Sequence, residues 1–231
     1  MNKYYTLLLL VVATGFVSCV DEFSTQQIEV TYDTVSFDRI HLETSSNVRI
    51  IQSSAFKVTV NGEERDVHDT DVHVSNNQLV IEEHGHIAND QVIKIYVPEI
   101  SQLESEGSSL IYGESEFTQN RSMDLVLNGS GEINMYVDVD NLDVEQTGSG
   151  YVYLEGYADH VDAEITGSGW MRAFGLDAKT MDLRVEGSGS SEVKVADDLD
   201  VKITGSGNVF YKGHPSLHTE ITGSGQVIDS N

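Results

Sequence analysis

The sequence has few of the residues that crosslink or rigidify a chain. Its 231 residues include one cysteine, two prolines and one tryptophan. A single cysteine excludes an internal disulfide. Basic residues are also scarce, with 13 Lys and Arg against 38 Asp and Glu and a net charge of −25. Such a chain repels phosphate groups, so the composition excludes nucleic acid as a partner.

The N-terminus has the pattern of an export signal that ends at the cysteine. An apolar run from Leu7 to Val17 is too short to cross a bilayer as a helix. A serine and Cys19 follow, and a small residue directly before a cysteine is typical of a bacterial lipoprotein processing site. We predict a signal peptide over residues 1–18, lipid attachment at Cys19 and an acidic tether over residues 19–30. The acyl chain on Cys19 is then the expected link to the membrane.

The rest of the chain predicts an all-β protein. Polar and apolar residues alternate with a period of two over most of its length, and no amphipathic helix is evident. We predict one domain over residues 31–231, with an irregular strand-rich part at 31–106 and a repeat array at 107–231. Within the array, Gly-Ser-Gly recurs at intervals of 18 to 20 residues, beginning at Gly129, Gly148, Gly167, Gly187, Gly205 and Gly223.

The repeats favour stacked coils. Apolar residues recur two, four and six positions before the first glycine, and even offsets share one face of an extended chain. A repeat this short cannot fold alone, but it suits one coil of a right-handed parallel β-solenoid with coils about 4.8 Å apart. A β-hairpin meander or barrel would also place these even-offset residues on one face. We favour the solenoid because near-identical repeats are satisfied by stacking on one another.

Stacked coils would bring one acidic residue per repeat into an outward-facing column. Carboxylates about 5 Å apart repel by about 0.8 kcal/mol in water, and a bound Ca²⁺ would relieve that repulsion. A weak cation site is therefore one interpretation, and a solvated acidic face, which we favour, is the other. The residues of the column are Asp124, Asp143, Asp162, Asp182 and Asp200.

Outward-facing aromatic residues are the second candidate site. Such rings stack on sugars or anchor a protein partner, although they also pack on one another. The candidates are Tyr151, Tyr153, Trp170 and Phe210. Catalysis by the repeated serines is disfavoured, because no Gly-Lys-Ser/Thr follows a repeat and no Gly-x-Ser-x-Gly elbow is present.

The segment VIKIYVPEISQLESEGS at Val92–Ser108, followed by the spaced Gly-Ser-Gly repeats, resembles the head GIN domain family. That family is described as a "putative auto-transporter adhesin" and is frequent among Bacteroidetes lipoproteins. The resemblance implies a β-helical fold over roughly Phe37–Val227 and carries over no catalytic residue. Asp21 and Glu22, close behind the cysteine, resemble the acidic signal that sends such lipoproteins to the outer face of the outer membrane.

We therefore expect a non-catalytic, lipid-anchored outer-membrane lipoprotein of the cell envelope that needs no cofactor. Its repetitive surface would bind a glycan or an envelope or host protein. A structural spacer or assembly component without a ligand is the alternative. A polysaccharide-active enzyme is a third hypothesis, which rests only on analogy with other β-helices.

Overall fold

The computed structural model describes residues 26–85, 87, 90–118 and 121–231, which form strands and one short helix. Alternating side chains favour strands because they place apolar groups on one face and polar groups on the other. The helix, α1, covers Glu64–His68. The strands are β1 (Gln27–Asp33), β2 (Arg39–Thr44), β3 (Asn47–Gln52), β4 (Lys57–Glu63), β5 (Thr70–Ser75), β6 (Gln78–Glu83), β7 (Val92–Val97), β8 (Gln102–Gly107), β9 (Leu110–Phe117), β10 (Ser122–Gly129), β11 (Glu132–Gly148), β12 (Tyr151–Gly167), β13 (Trp170–Gly187), β14 (Ser190–Gly205), β15 (Asn208–Lys212), β16 (Ser216–Gly223) and β17 (Gln226–Asp229).

The strands stack in parallel, one coil upon the next. The first glycine of each repeat pairs with the first glycine of the following repeat, from Gly107 to Gly223. Each coil has two faces. We call face A the strand segments that end at a Gly-Ser-Gly turn, and face B the segments that begin just after one. Each of the long strands β11 to β14 contributes its first part to face B and its last part to face A. This parallel register confirms the predicted β-solenoid and excludes the hairpin meander for the repeats.

The first glycine of each turn allows two coils to approach at a corner. Gly167 has a φ of +114°, a left-handed conformation that L side chains rarely adopt. A Cβ at this position would lie 2.6 Å from the carbonyl oxygen of Gly148 on the preceding coil. The same oxygen accepts the backbone N–H of Ser168 at 2.8 Å. The glycine therefore permits a hydrogen bond between coils, while the serine side chain stays exposed.

The second glycine makes room for the core of the preceding coil. A Cβ on Gly189 would lie 3.0 Å from Cγ2 of Ile165, and one on Gly207 would lie 2.7 Å from Cγ1 of Val185. Ile165 and Val185 each stand two positions before the first glycine of their own repeat. Each of these large inward side chains therefore fills the space that the second glycine leaves open on the next coil.

Inward-facing side chains form one apolar core along the solenoid. The cluster runs from Phe37 through Val209, and most of its members are fully buried. Burial of a Val, Leu or Ile side chain contributes about 1.5–3 kcal/mol, so the core is the main source of stability. Gln146 is an exception: it is 1% exposed, and its Nε2 donates to the carbonyl oxygen of Gly150.

Chain order and coil order differ at the N-terminal end. β2 lies between β6 and β8 on face A, and β3 lies between β7 and β9 on face B. Antiparallel strands are added to the N-terminal end of the solenoid. β5 pairs with β6, and β4 pairs with both β7 and β1. β1 begins at Gln27, inside the predicted tether at 19–30, and the part at 31–106 contributes coils to the same ladder.

The last coil differs from the others in its exposure. All eight residues of β16 are exposed, and Leu217 and Ile221 keep 41% and 42% of their surface accessible. The equivalent residues one coil earlier, Leu199 and Ile203, are buried. This end of the core therefore presents apolar side chains and one edge of β16 to solvent.

Candidate functional site

The predicted acidic column forms on face A. Parallel register places one carboxylate on each of five consecutive coils: Asp124, Asp143, Asp162, Asp182 and Asp200. The residues on either side of each aspartate are buried, which turns the carboxylates outward. Glu145 and Glu164 stand in the neighbouring column, and they border a depression of about 510 Å³ together with the first three aspartates. The sequence thus predicted the position of every member of this column.

Arg184 compensates part of the column, and His160 lies beside it. Nη1 of Arg184 lies 3.1 Å from Oδ1 of Asp162, and Nε2 of His160 lies 3.8 Å from Oδ2 of Asp182. At the other end, burial and then the neighbouring Asp143 raise the pKa of the Asp124 carboxyl above its usual value. Excess negative charge is therefore concentrated near Asp124.

Three of the four predicted aromatic residues gather on face B. Tyr151 and Tyr153 project from β12 with stacked rings, whose centroids are 6.2 Å apart. Trp170 is the register partner of Tyr151 on the next coil. The Arg172 guanidinium lies 4.9 Å from the Trp170 ring centroid and 5.6 Å from that of Tyr153. We call Tyr151, Tyr153, Trp170 and Arg172 the aromatic surface.

Phe210 lies apart from the aromatic surface. It stands in the same column as Arg172, but Glu192 on the intervening coil separates the two residues. Two coil spacings amount to about 10 Å, which is beyond ring contact. Arg172 was not among the predicted site residues, although its offset of five residues from Gly167 places it in the column of Tyr153.

A second charged group on face A was also missed from the sequence. His41 and Glu43 on β2 lie beside Glu104 and Glu106 on β8. We call these four residues the His41 cluster. Burial lowers the pKa of His41, but hydrogen bonds to Glu43 and Glu104 and the glutamate charges outweigh it, so the net pKa is raised above its ordinary value. The sequence shows that residues 41 and 43 share one face of a strand, as do residues 104 and 106. It does not show that the strands β2 and β8, which carry them, are paired.

The predicted lipid attachment site, Cys19, lies outside the described residues. Within the part of the chain that the structure describes, no helix has the length and apolar character needed to cross a membrane. Signal peptide and anchor therefore stay predictions.

Solved structures of similar fold come from Bacteroides and Parabacteroides species. A putative adhesin from Bacteroides fragilis superposes with a TM-score of 0.84 at 23% identity, covering 89% of this chain and 98% of that one. A putative adhesin from Parabacteroides distasonis gives 0.66 at 19% identity, covering 89% and 98%. A structure described as a putative lipid binding protein, also from P. distasonis, gives 0.66 at 21% identity, covering 88% and 97%. At these identities the likeness establishes the fold alone.

No curated protein matches the chain. The family model described as "Putative auto-transporter adhesin, head GIN domain" matches residues 36–215, which is most of the β-solenoid. The strand-and-proline segment at Val92–Ser108 and five of the six Gly-Ser-Gly motifs lie inside this match. The chain therefore belongs to the head GIN domain family.

Proposed function

We propose that this chain is a non-catalytic, adhesin-like protein of the cell envelope whose aromatic surface binds a glycan or a protein. The observation that carries the proposal is the grouping of three aromatic rings and one guanidinium on the outside of face B. The family description, an adhesin, agrees with a binding function.

The chemistry of the aromatic surface suits binding. Tyr, Trp and Arg are enriched among the residues that dominate binding energy, because each combines a large contact area with a polar end. Tyr151 keeps 42% of its surface accessible, so part of the surface is open to a partner. The rings project from paired strands, whose backbone hydrogen bonds hold them in position before any partner arrives.

A glycan array and a set of purified extracellular matrix proteins, probed with the full chain, test this function. We expect saturable binding that weakens at least tenfold in Tyr151→Ala and in Trp170→Ala. Phe210→Ala is the matched control, because it removes an outward aromatic residue that lies apart from the aromatic surface. Absence of saturable binding, or equal losses in all three variants, would reject the proposal.

The same proposal places the chain at the outer membrane through a lipid on Cys19. Since Cys19 is the only cysteine, Cys19→Ser removes the only candidate attachment site. We expect the variant to be released from the membrane or to accumulate unprocessed, as followed by fractionation and immunoblotting. A variant that is fully processed and still sediments with the membrane would contradict the anchor.

A structural role in assembly is the second candidate, and the exposed β16 supports it. If β16 pairs antiparallel with β16 of a second copy about Thr219, Leu217 lies opposite Ile221 and His218 lies opposite Glu220. Apolar side chains then face one another, His218 faces Glu220, and the free strand edge gains hydrogen bonds.

Light scattering separates the assembly role from the adhesin-like function. The assembly role requires a dimer in the wild type that Leu217→Lys disrupts. Val35→Lys is the control, because it changes a side chain that is 69% exposed on another part of the molecule. A monomeric wild type would reject this role and leave the aromatic surface untouched.

A further inference from the structure

The His41 cluster has the arrangement of a metal site built on two adjacent strands. β2 and β8 run parallel, with His41 paired to Glu104 and Glu43 paired to Glu106. The intervening Leu42 and Ser105 are buried, so all four charged side chains project from face A. The four residues thus form a square of potential ligands on a hydrogen-bonded scaffold.

Distances within the cluster suit coordination of one ion. One ligand atom from each of His41, Glu104 and Glu106 lies within 4.8 Å of the other two. Nδ1 of His41 is 3.0 Å from Oε2 of Glu104. A small inward movement of the carboxylates would bring three ligands to the separations found around a bound divalent ion, whose bonds to nitrogen and oxygen are about 2.0–2.2 Å long.

Glu43 orients the histidine. Its Oε1 lies 3.1 Å from Nε2 of His41, on the side of the ring away from Glu104. A carboxylate that accepts the N–H of one ring nitrogen fixes the tautomer and leaves the other nitrogen free to bind metal. His41 would therefore coordinate through Nδ1, with Glu43 as its hydrogen-bond partner.

The surroundings favour a cation at this place. The register neighbours of His41 and Glu104 on the outer strands are Val80 and Val126, two half-buried side chains that limit access of water. The side chains of His41 and Glu104 are only 17% and 27% exposed. The guanidinium of Arg39, on the same strand as His41, donates a hydrogen bond to the carbonyl oxygen of Asn76.

Negative charge continues beyond the cluster. Glu82 on β6 pairs with Glu43, and Asp71 on β5 pairs with Glu82, so one carboxylate stands on each of four neighbouring strands. Asp71, Glu82 and His84 form a second group whose ligand atoms lie within 4.8 Å of one another. The row ends at Glu106 and supplies a field that attracts divalent cations.

We propose that His41, Glu104 and Glu106 bind a divalent transition metal such as Zn²⁺, with Glu43 positioning the imidazole. An imidazole nitrogen suits Zn²⁺ and its neighbours in the transition series, whereas Ca²⁺ prefers oxygen ligands alone. Two glutamates balance the charge of one such ion. The site lies on face A at the N-terminal end of the ladder, and it is independent of the aromatic surface on face B.

Isothermal titration of Zn²⁺ into the purified, untagged full chain tests the site. Excess Mg²⁺ and 150 mM NaCl, about the physiological ionic strength, occupy or screen the exposed carboxylates. We expect saturable binding that weakens at least tenfold in His41→Gln and in Glu104→Gln, two outward positions whose change leaves the core intact. Glu43→Gln should weaken it about 10- to 100-fold, as expected for loss of an orienting carboxylate.

His218→Gln is the matched control, because this exposed histidine lies beside Asp200 at the opposite end of face A. It should leave the Zn²⁺ affinity unchanged. The proposal is overturned if no saturable binding occurs, or if His41→Gln binds as tightly as the wild type. It is also overturned if affinity falls with His84→Gln instead, which would assign the ion to the Asp71 group.

Discussion

Asp124 and Asp143 occupy equivalent positions on adjacent coils, where they are direct register partners with outward-facing carboxyl groups. Burial first, and then the charge and hydrogen bond of Asp143, raise the pKa of Asp124. Since a raised carboxyl pKa means that the folded state holds this proton more tightly than the unfolded chain, the ionised pair destabilises the fold.

Asp124→Asn should therefore stabilise the protein at pH 7. The wild-type contribution is favourable below the unfolded pKa, near 3.8, and is lost as the pH rises through the raised folded value. We expect a gain of less than about 1 kcal/mol, because solvent screens a partly exposed pair, and the gain should disappear near pH 3. Urea unfolding at both pH values measures it. Asp197→Asn, an exposed control on β14, should change little; equal gains at both pH values would contradict the electrostatic cause.

Gly167→Val should be much more damaging than Ser168→Ala. The valine would need a φ of +114° and would meet the carbonyl oxygen of Gly148, whereas the serine side chain is exposed. We expect a loss of about 2–4 kcal/mol for the glycine change and under about 1 kcal/mol for the serine change. Thermal or urea unfolding of both variants tests the difference, and similar losses would show that the turn tolerates a side chain.

Gln146→Leu should stabilise the domain. Within the described structure, Oε1 of Gln146 is buried without a hydrogen-bond partner, and a buried unpaired polar atom costs about 1–3 kcal/mol. The carbonyl oxygen of Gly150, which accepts from Nε2, also accepts the N–H of Trp170 at 3.0 Å and so stays bonded. We expect a gain of about 1 kcal/mol in chemical unfolding. Gln102→Leu, a half-buried change on face A, is the control, and a loss of stability at Gln146 would contradict the reasoning.

Millimolar Ca²⁺ should raise the melting temperature no more than NaCl of equal ionic strength. Arg184 already lies 3.1 Å from Asp162 in the middle of the acidic column, which favours a solvated and partly compensated face. Differential scanning fluorimetry of the wild type and Asp162→Asn measures the response. A Ca²⁺-specific stabilisation that Asp162→Asn abolishes would instead establish a calcium site, since a ligand at a hundred times its Kd adds about 2.7 kcal/mol.

Much of the repeat array could be predicted because its register follows from the sequence itself. Once the glycines of successive coils are stacked, residues at equal distances from the glycine are stacked as well. Asp124 therefore lies beside Asp143, and Tyr151 lies beside Trp170. The direction of each side chain within a column could not be predicted in this way. Arg172 approaches two aromatic rings because of its rotamer, which its position in the sequence does not determine.

The N-terminal coils could not be predicted in the same way. They lack the Gly-Ser-Gly marker, so nothing in the sequence shows that β2 pairs with β8 across 63 residues. The His41 cluster depends entirely on that pairing. The exposure of Leu217 was also missed, because its offset from the glycine is the same as that of the buried Leu199.

The mismatch between chain order and coil order has a consequence for how the protein folds. From β10 onward each coil adds to its predecessor across about 19 residues, as in the pairing of Ser122 with Asn141. Closing β2 onto β8 spans 63 residues, which costs roughly 1 kcal/mol more in loop entropy. β2 also keeps both edges open until β6 and β8 have been synthesised. We therefore expect propagation through the repeats to be fast, and the addition of β6 and β8 to the two edges of β2 to be slower.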